Sequence, residues 1–250
     1  MKNNFTKVNP LSKEIRINNS KKSCFIIIHG YTGIIKTLEK TAEALSEFYD
    51  VYIPRLPGHG TNREDFEKST WKDWLRKIYE EYLNLKIIYE EVNILGFSMG
   101  GVIGSIIAAE FDIKKLILVA PAFRIKDRMM MFTPFLRFIY PRKKLLSVQY
   151  NDENWKTQSE NYWEYNFYNK KYDLLKLQKK ALKKLGNIKS ETFIILSEND
   201  KSVPFNVKKI TDIKIKNKNY LILKNSPHTI LSDCESDFAI SQIMNFLKNV

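Results

Sequence analysis

Gly96-Phe97-Ser98-Met99-Gly100 lies between an apolar run and a helical pattern, and no other stretch of this chain constrains the fold so tightly. Val92 to Leu95 is short, apolar and rich in β-branched residues, which suits a buried strand. Beyond the motif, Gly101, Val102, Ile103, Ile106, Ile107 and Ala108 recur at helical spacing up to Glu110. A strand that enters a helix through one tight turn holds its middle residue at strained backbone angles. Small residues two positions to either side let strand and helix approach. The Ser98 hydroxyl is then lifted clear of the sheet, beside the first N–H groups of a helix. One turn thus supplies a nucleophile and half of an oxyanion hole. A bare Gly-x-Ser-x-Gly can also be a plain turn, and the flanking strand and helix weigh against that.

A serine hydroxyl is a poor nucleophile at neutral pH, so the elbow calls for a histidine base and a carboxylate to orient it. The chain has only three histidines, which keeps the search short. His228 follows the apolar run Tyr220 to Leu223 in the loop Asn225-Ser226-Pro227-His228. Catalytic groups collect in such loops, at the C-terminal ends of parallel strands. Asp200 closes a second strand-and-loop segment that begins at Thr192. The order Ser98, Asp200, His228 is the one that serine elbows of this kind take. Glu198 is the rival acid. Asp233 and Asp237 follow the histidine and are weaker candidates, and a post-strand aspartate is often a turn residue only.

His29 ends the run Cys24 to Ile28 and opens His29-Gly30-Tyr31-Thr32-Gly33. The two glycines allow a sharp turn that aims the Tyr31 N–H at a developing oxyanion, and the Met99 N–H makes a second donor. His29 is expected to brace that loop rather than do chemistry. His59, in Pro57-Gly58-His59-Gly60, is expected to fix its own loop in the same way. Three dispersed histidines and two distant cysteines show no metal-ligand spacing, so no metal site is expected.

On these motifs the chain resembles the α/β-hydrolases of the bacterial carboxylesterase and monoacylglycerol lipase group. The matching stretches are His29-Gly30-Tyr31-Thr32-Gly33, Pro57-Gly58-His59-Gly60, Gly96-Phe97-Ser98-Met99-Gly100-Gly101, Asp200 and Ser226-Pro227-His228, in the family's order. The resemblance implies a mostly parallel sheet with helices on both faces and a small cap insertion. It implies Ser98 as nucleophile, His228 as base, Asp200 as its partner and the amides of Tyr31 and Met99 as oxyanion donors, with no cofactor. Pro227 departs from the glycine that relatives often carry there, and it restricts the backbone without removing a catalytic group.

The 250 residues suit one α/β domain, and nothing like a linker, repeat or low-complexity tract divides them. Strands at Cys24–Ile28, Val51–Ile53, Val92–Leu95, Leu116–Ala120, the Thr192 segment and Tyr220–Leu223 alternate with helical stripes. One stripe is Leu38, Ala42, Leu45 and Phe48, another runs from Trp71 to Leu85, and a third from Phe238 to Leu247. This alternation predicts a parallel sheet covered on both faces. Glu14 to Ile17 adds an antiparallel edge strand.

Residues 123–190 break the pattern and are expected to form the cap. The run Met129 to Phe138 either lines an acyl pocket or packs the cap onto the body; Trp155, Tyr162, Trp163, Tyr165, Phe167 and Tyr168 pose the same choice. Formal net charge is +13, and residues 124–190 hold 16 Lys/Arg against 6 Asp/Glu. No nucleic-acid motif accompanies that charge, so no nucleic-acid partner is expected. Lys170-Lys171, Lys179-Lys180 and Lys183-Lys184 read as the wet face of helices, with room for a weak attraction to anionic surfaces. The absence of an apolar leader or an 18-residue apolar span predicts a cytoplasmic chain without membrane insertion. Cys24 and Cys234 are expected to be free thiols. The favoured activity is hydrolysis of short- to medium-chain acyl esters or monoacylglycerols. An amidase, peptidase, thioesterase or C–C hydrolase on the same residues, and a non-catalytic ligand-binding relative, are the alternatives.

Overall fold

A computed structural model describes residues 7–144 and 165–248. Among them are β1 (Ile15–Ile17), β2 (Ser23–Ile28), β3 (Asp50–Ile53), β4 (Glu91–Phe97), β5 (Lys115–Val119), β8 (Glu191–Ser197) and β9 (Lys218–Leu223). These seven strands form one sheet in the order β1-β3-β2-β4-β5-β8-β9. All neighbours are parallel except β1, which runs antiparallel along β3 at the edge. Both the parallel sheet and the antiparallel edge were legible in the sequence.

Alternate residues of each strand face opposite sides of a sheet, and here both sides are dry. Cys24, Ile26 and Ile28 of β2 enter one core; Phe25 and Ile27 enter the other. The helices that close the first core are α3 (Trp71–Ile88), α4 (Met99–Glu110) and α6 (Tyr168–Lys184), while α1 (Glu39–Ser46) and α8 (Ser236–Lys248) close the second. Two further short helices, α2 (Arg63–Lys68) and α7 (Val207–Lys214), follow β3 and β8. Helix α3 starts sharply because Thr70 and Asp73 form a capping box. The first stripe is not wholly core, since Phe48 lies beyond the end of α1 and is exposed.

Helix α4 is buried continuously from Met99 to Ala108, an all-round apolar helix pressed between sheet and α6. Gly100 makes that approach possible: a Cβ there would sit 2.0 Å from the carbonyl oxygen of Ile28. Both cysteines are unpaired, Cys24 buried and Cys234 exposed, and burial pushes the Cys24 thiol up to about 12.

Within the interval between β5 and β8 the described residues form a 3-10 turn (Arg128–Phe132), α5 (Thr133–Ile139), the antiparallel pair β6 (Arg142–Lys144) and β7 (Tyr165–Phe167), and α6. Trp155, Tyr162 and Trp163 lie outside the described residues, whereas Phe167 and Tyr168 are buried. The wet-face reading of the lysine pairs holds for exposed Lys179 and Lys183 but fails at Lys170. Lys170 is 3 % exposed; its Nζ bonds the Ser69 carbonyl and pairs with Asp173 at 2.7 Å. Positions 170, 174, 177 and 181 share one helical face, so Lys170 is carried inward with Leu174, Leu177 and Ala181.

Candidate active site

Ser98 is the junction of β4 and α4, at φ 53° and ψ −115°, a left-handed φ that a serine adopts only where its surroundings impose it. They do so through the main chain. The Ser98 N–H donates to the Val119 carbonyl at 2.9 Å, and the Ser98 carbonyl accepts from Ala122 and Gly101 at 3.1 and 3.0 Å. Gly30 lies close by: a Cβ there would meet the Ser98 Cβ at 3.3 Å.

From Ser98 Oγ a chain of hydrogen bonds runs through two loops. His228 Nε2 is 3.1 Å from Ser98 Oγ, and His228 Nδ1 is 2.8 Å from Asp200 Oδ2. Asp200 is 2 % exposed, and its other oxygen accepts the N–H groups of Ser202 at 2.7 Å and Val203 at 2.8 Å. Both carboxylate oxygens are therefore engaged, which fixes the plane in which the imidazole is held. The Phe97 ring lies against the imidazole with centroids 5.2 Å apart. Glu198 is exposed and, among the described residues, makes no hydrogen bond or ion pair with His228, whose Nδ1 partner is Asp200, and Asp233 instead accepts from the Ser226 hydroxyl at 2.9 Å.

The two loops are bound to each other as well as to Ser98. Ser197 Oγ donates to the Ser226 carbonyl at 2.6 Å, and the Lys201 N–H donates to the Pro227 carbonyl at 2.6 Å. Glu235 accepts the N–H groups of Asn225 and Ser226 at 2.9 and 2.7 Å, pinning the approach to His228. None of these braces was evident from the sequence: the bonds of Ser197 and Lys201 depend on β8 lying beside β9, and those of Glu235 on the fold of the loop after β9.

Tyr31 lines the same cavity as Ser98 and His228. Its loop turns tightly, with Gly33 N–H donating to the Gly30 carbonyl at 3.0 Å. Met99 is the first residue of α4, so its N–H belongs to the opening turn, whose amides have no intrahelical acceptor. His29 Nε2 accepts the Leu56 N–H at 3.1 Å while its Nδ1 reaches the Gly30 carbonyl at 2.9 Å. His59 Nδ1 reaches the Pro57 carbonyl at 3.2 Å, and its ring packs on Phe66 and Trp74. Both histidines brace loops, as their positions predicted. Burial drives the His29 imidazole down to about 4 and holds His59 well below its ordinary value.

A cavity of about 550 Å³ opens over Ser98. Ala122, Ile125, Leu174 and Val203 supply its apolar wall, and Lys126, Asp127, Lys171 and Lys201 its charges. The run Met129 to Phe138 does not line it. Met131, Phe132, Phe135 and Phe138 are at least half exposed, and only Met130 and Thr133 of the run are buried. The acyl-pocket reading of that run therefore fails. A short 3-10 turn followed by two turns of helix gives it only one packed face, and an apolar composition alone cannot say which way that face points.

A family model described as serine aminopeptidase, S33, matches residues 19–235. Across 235 residues the chain is 23% identical to a carboxylesterase of Bacillus subtilis (strain 168), covering 90% of this chain and 92% of the relative. It is 40% identical over 77 residues to a thermostable monoacylglycerol lipase of Bacillus sp. (strain H-257), a match to 30% of this chain and 31% of that protein. Among solved structures, a metagenome-derived lipolytic enzyme superposes with a TM-score of 0.86 at 21% identity, covering 98% of this chain and 100% of the other.

Proposed function

The chain belongs to the serine aminopeptidase S33 family of α/β-hydrolases, and we propose that it hydrolyses carboxylic esters through an acyl-enzyme formed on Ser98. The observation that carries this reading is the unbroken line Ser98 Oγ, His228, Asp200 beneath an open cavity. Ser98 Oγ attacks the ester carbonyl as His228 Nε2 takes its proton. The electron pair displaced onto the carbonyl oxygen is met by the N–H groups of Tyr31 and Met99. Collapse expels the alcohol, which receives the proton from His228. Water then repeats the sequence, giving its proton to His228 and releasing the acid and free Ser98. Asp200 keeps the proton of the neutral imidazole on Nδ1 and stabilises the imidazolium.

Residues 123–190 act as the cap in this reading, with Ile125 and Leu174 bringing apolar surface to the substrate. The similarity to a carboxylesterase and a monoacylglycerol lipase supports acyl esters as substrates. The family's description favours a second reading, removal of an amino-terminal residue from a peptide. A free α-ammonium would need an unpaired carboxylate in the cavity, and Asp127, the one carboxylate among the lining residues, is held by Lys171. Esters are therefore preferred. Among the described residues no helix is long and apolar enough to cross a membrane. We place the chain in the cytoplasm on its two unpaired thiols.

Ser98→Ala tests the reading. It should abolish hydrolysis of p-nitrophenyl butyrate and labelling by a fluorophosphonate while leaving thermal unfolding unchanged. Turnover close to wild type by the folded variant would remove Ser98 from the mechanism. A parallel panel of aminoacyl anilides and thioesters decides between esters and the alternatives.

A further inference from the structure

We propose that the cavity over Ser98 selects esters carrying an anionic group, a carboxylate or a phosphate, which the ammonium groups of Lys126 and Lys201 receive; this rests on the serine-esterase reading above. The lining of the cavity has four charged side chains beyond His228, three of them cationic. Lys171 and Asp127 neutralise each other: the Lys171 ammonium bonds Asp127 Oδ2, and Asp127 Oδ1 accepts the Met129 N–H at 2.8 Å. Burial works against the Asp127 charge, yet Lys171 and that N–H outweigh it and hold the carboxyl below its usual range. Among the described residues two cations, Lys126 and Lys201, are left over.

Each sits on the catalytic framework. Lys126 Nζ donates to the Asp200 carbonyl at 2.5 Å, and the Lys126 N–H donates to the Ser202 carbonyl at 2.8 Å. That anchors the ammonium at the Asp200 loop and leaves two of its three N–H donors unspent. Lys201 follows Asp200 directly and is tied by its N–H to Pro227, the neighbour of His228. Neither ammonium forms an ion pair among the described residues. The Asp200 carboxylate, on the same loop, already serves His228, Ser202 and Val203. A cavity shaped only for a neutral acyl glycerol has no use for two uncompensated cations beside an apolar wall. An ester with an acidic group a few atoms from its scissile carbonyl uses both surfaces at once.

Lys126 and Lys201 are exposed, so the attraction is screened and its size modest, about threefold for each cation at low salt. The test compares kcat/KM for the mono-p-nitrophenyl ester of glutaric acid with that for p-nitrophenyl pentanoate, which has the same number of acyl carbons. Each value is normalised to the ester's own hydroxide rate. The wild-type protein should favour the glutarate by about tenfold at low salt, and the preference should shrink at about 0.5 M NaCl. Lys201→Gln should lower the ratio about threefold and Lys201→Glu should abolish the preference. Lys201 is the informative position, because its ammonium makes no hydrogen bond or ion pair among the described residues, whereas that of Lys126 holds the Asp200 carbonyl. The p-nitrophenyl ester of phosphonobutanoic acid forms a third arm, and the larger of the two anionic ratios identifies the head group. A wild-type ratio at or below one for both anionic esters overturns the proposal, as does a ratio unmoved by Lys201→Glu. Failure to hydrolyse any of the three esters, with no fluorophosphonate labelling, would instead defeat the serine-esterase reading and this inference with it.

Discussion

His29 and His59 meet edge to face, ring centroids 4.8 Å apart, and both are essentially inaccessible to water. Burial lowers both imidazoles, His29 to about 4. On acidification the unfolded chain therefore binds these protons first. The stability linked to the pair is complete above about pH 6.5 and is lost as pH falls toward the folded values. Each histidine contributes a slope of at most about 1.4 kcal/mol per pH unit across that window. Urea midpoints measured between about pH 7.5 and 5 should begin to fall near 6.5. A midpoint flat over that range would show that the pair does not control acid stability.

Asp200→Asn should cost more than its change in size suggests. One oxygen of Asp200 is held by two backbone N–H groups, so the amide oxygen of the variant stays there. Its NH₂ then faces His228 Nδ1 and forces the imidazole proton onto Nε2, where it blocks uptake of the serine proton. The expected loss in kcat is about ten-thousandfold. Glu198→Gln, at an exposed side chain, should leave kcat within about twofold. The reverse ranking in ester kinetics would move the acid to position 198.

Lys170 distinguishes a structural lysine from a decorative one. Lys170→Ala removes the bond to the Ser69 carbonyl and leaves Asp173 beside the vacated site. The expected loss is about 2–3 kcal/mol in chemical denaturation. Lys179→Ala and Lys183→Ala, on the exposed face, should stay within about 0.5 kcal/mol. Equal effects at the three positions would contradict the assigned burial.

Two glycines should answer oppositely to the same substitution. Gly100→Ala drives a methyl into the Ile28 carbonyl, which neither strand nor helix can yield without separating. Loss of soluble folded protein, or of at least about 3 kcal/mol, is expected. At Gly186 an added Cβ would meet only the Lys214 carbonyl, at 3.9 Å, and Gly186→Ala should be neutral or stabilising by up to about 1 kcal/mol. Thermal melts of the two variants check the contrast.

The strands and the elbow were legible because they depend on local patterns. Apolar runs bounded by turn residues marked Cys24–Ile28 and Val92–Leu95, and the glycines around Ser98 announced a close strand–helix contact. Chain order sets Asp200 apart from Asp233 and Asp237 but not from Glu198, which shares it; the bond to His228 and the amides of Ser202 and Val203 that hold Asp200 appear only once the loop is folded. Lys170 was misread because pairs of lysines suggested solvent. The spacing that carries it inward with Leu174, Leu177 and Ala181 was nevertheless present in the sequence. The run from Met129 misleads for the opposite reason: its apolar composition suggests burial, while half of its side chains are exposed. Helices α2 and α7 have six and eight residues, too few and too polar for a clear periodic signal.

Ser98 stands at the end of β4, and Asp200 and His228 follow β8 and β9, with β5 filling the place between. The bond from His228 to Ser98 closes a loop of 130 residues. Contacts of that length are slow to form, because chain entropy must be spent before any pairing energy returns. No hairpin or helix pair in this chain can hold a partial version of the site. A folding intermediate with most of its helices but without β8 and β9 docked would look native to a spectrometer and be inert toward substrate. Return of activity after denaturation therefore requires β4, β8 and β9 all to be in place, and the enzyme carries its own reporter of complete folding.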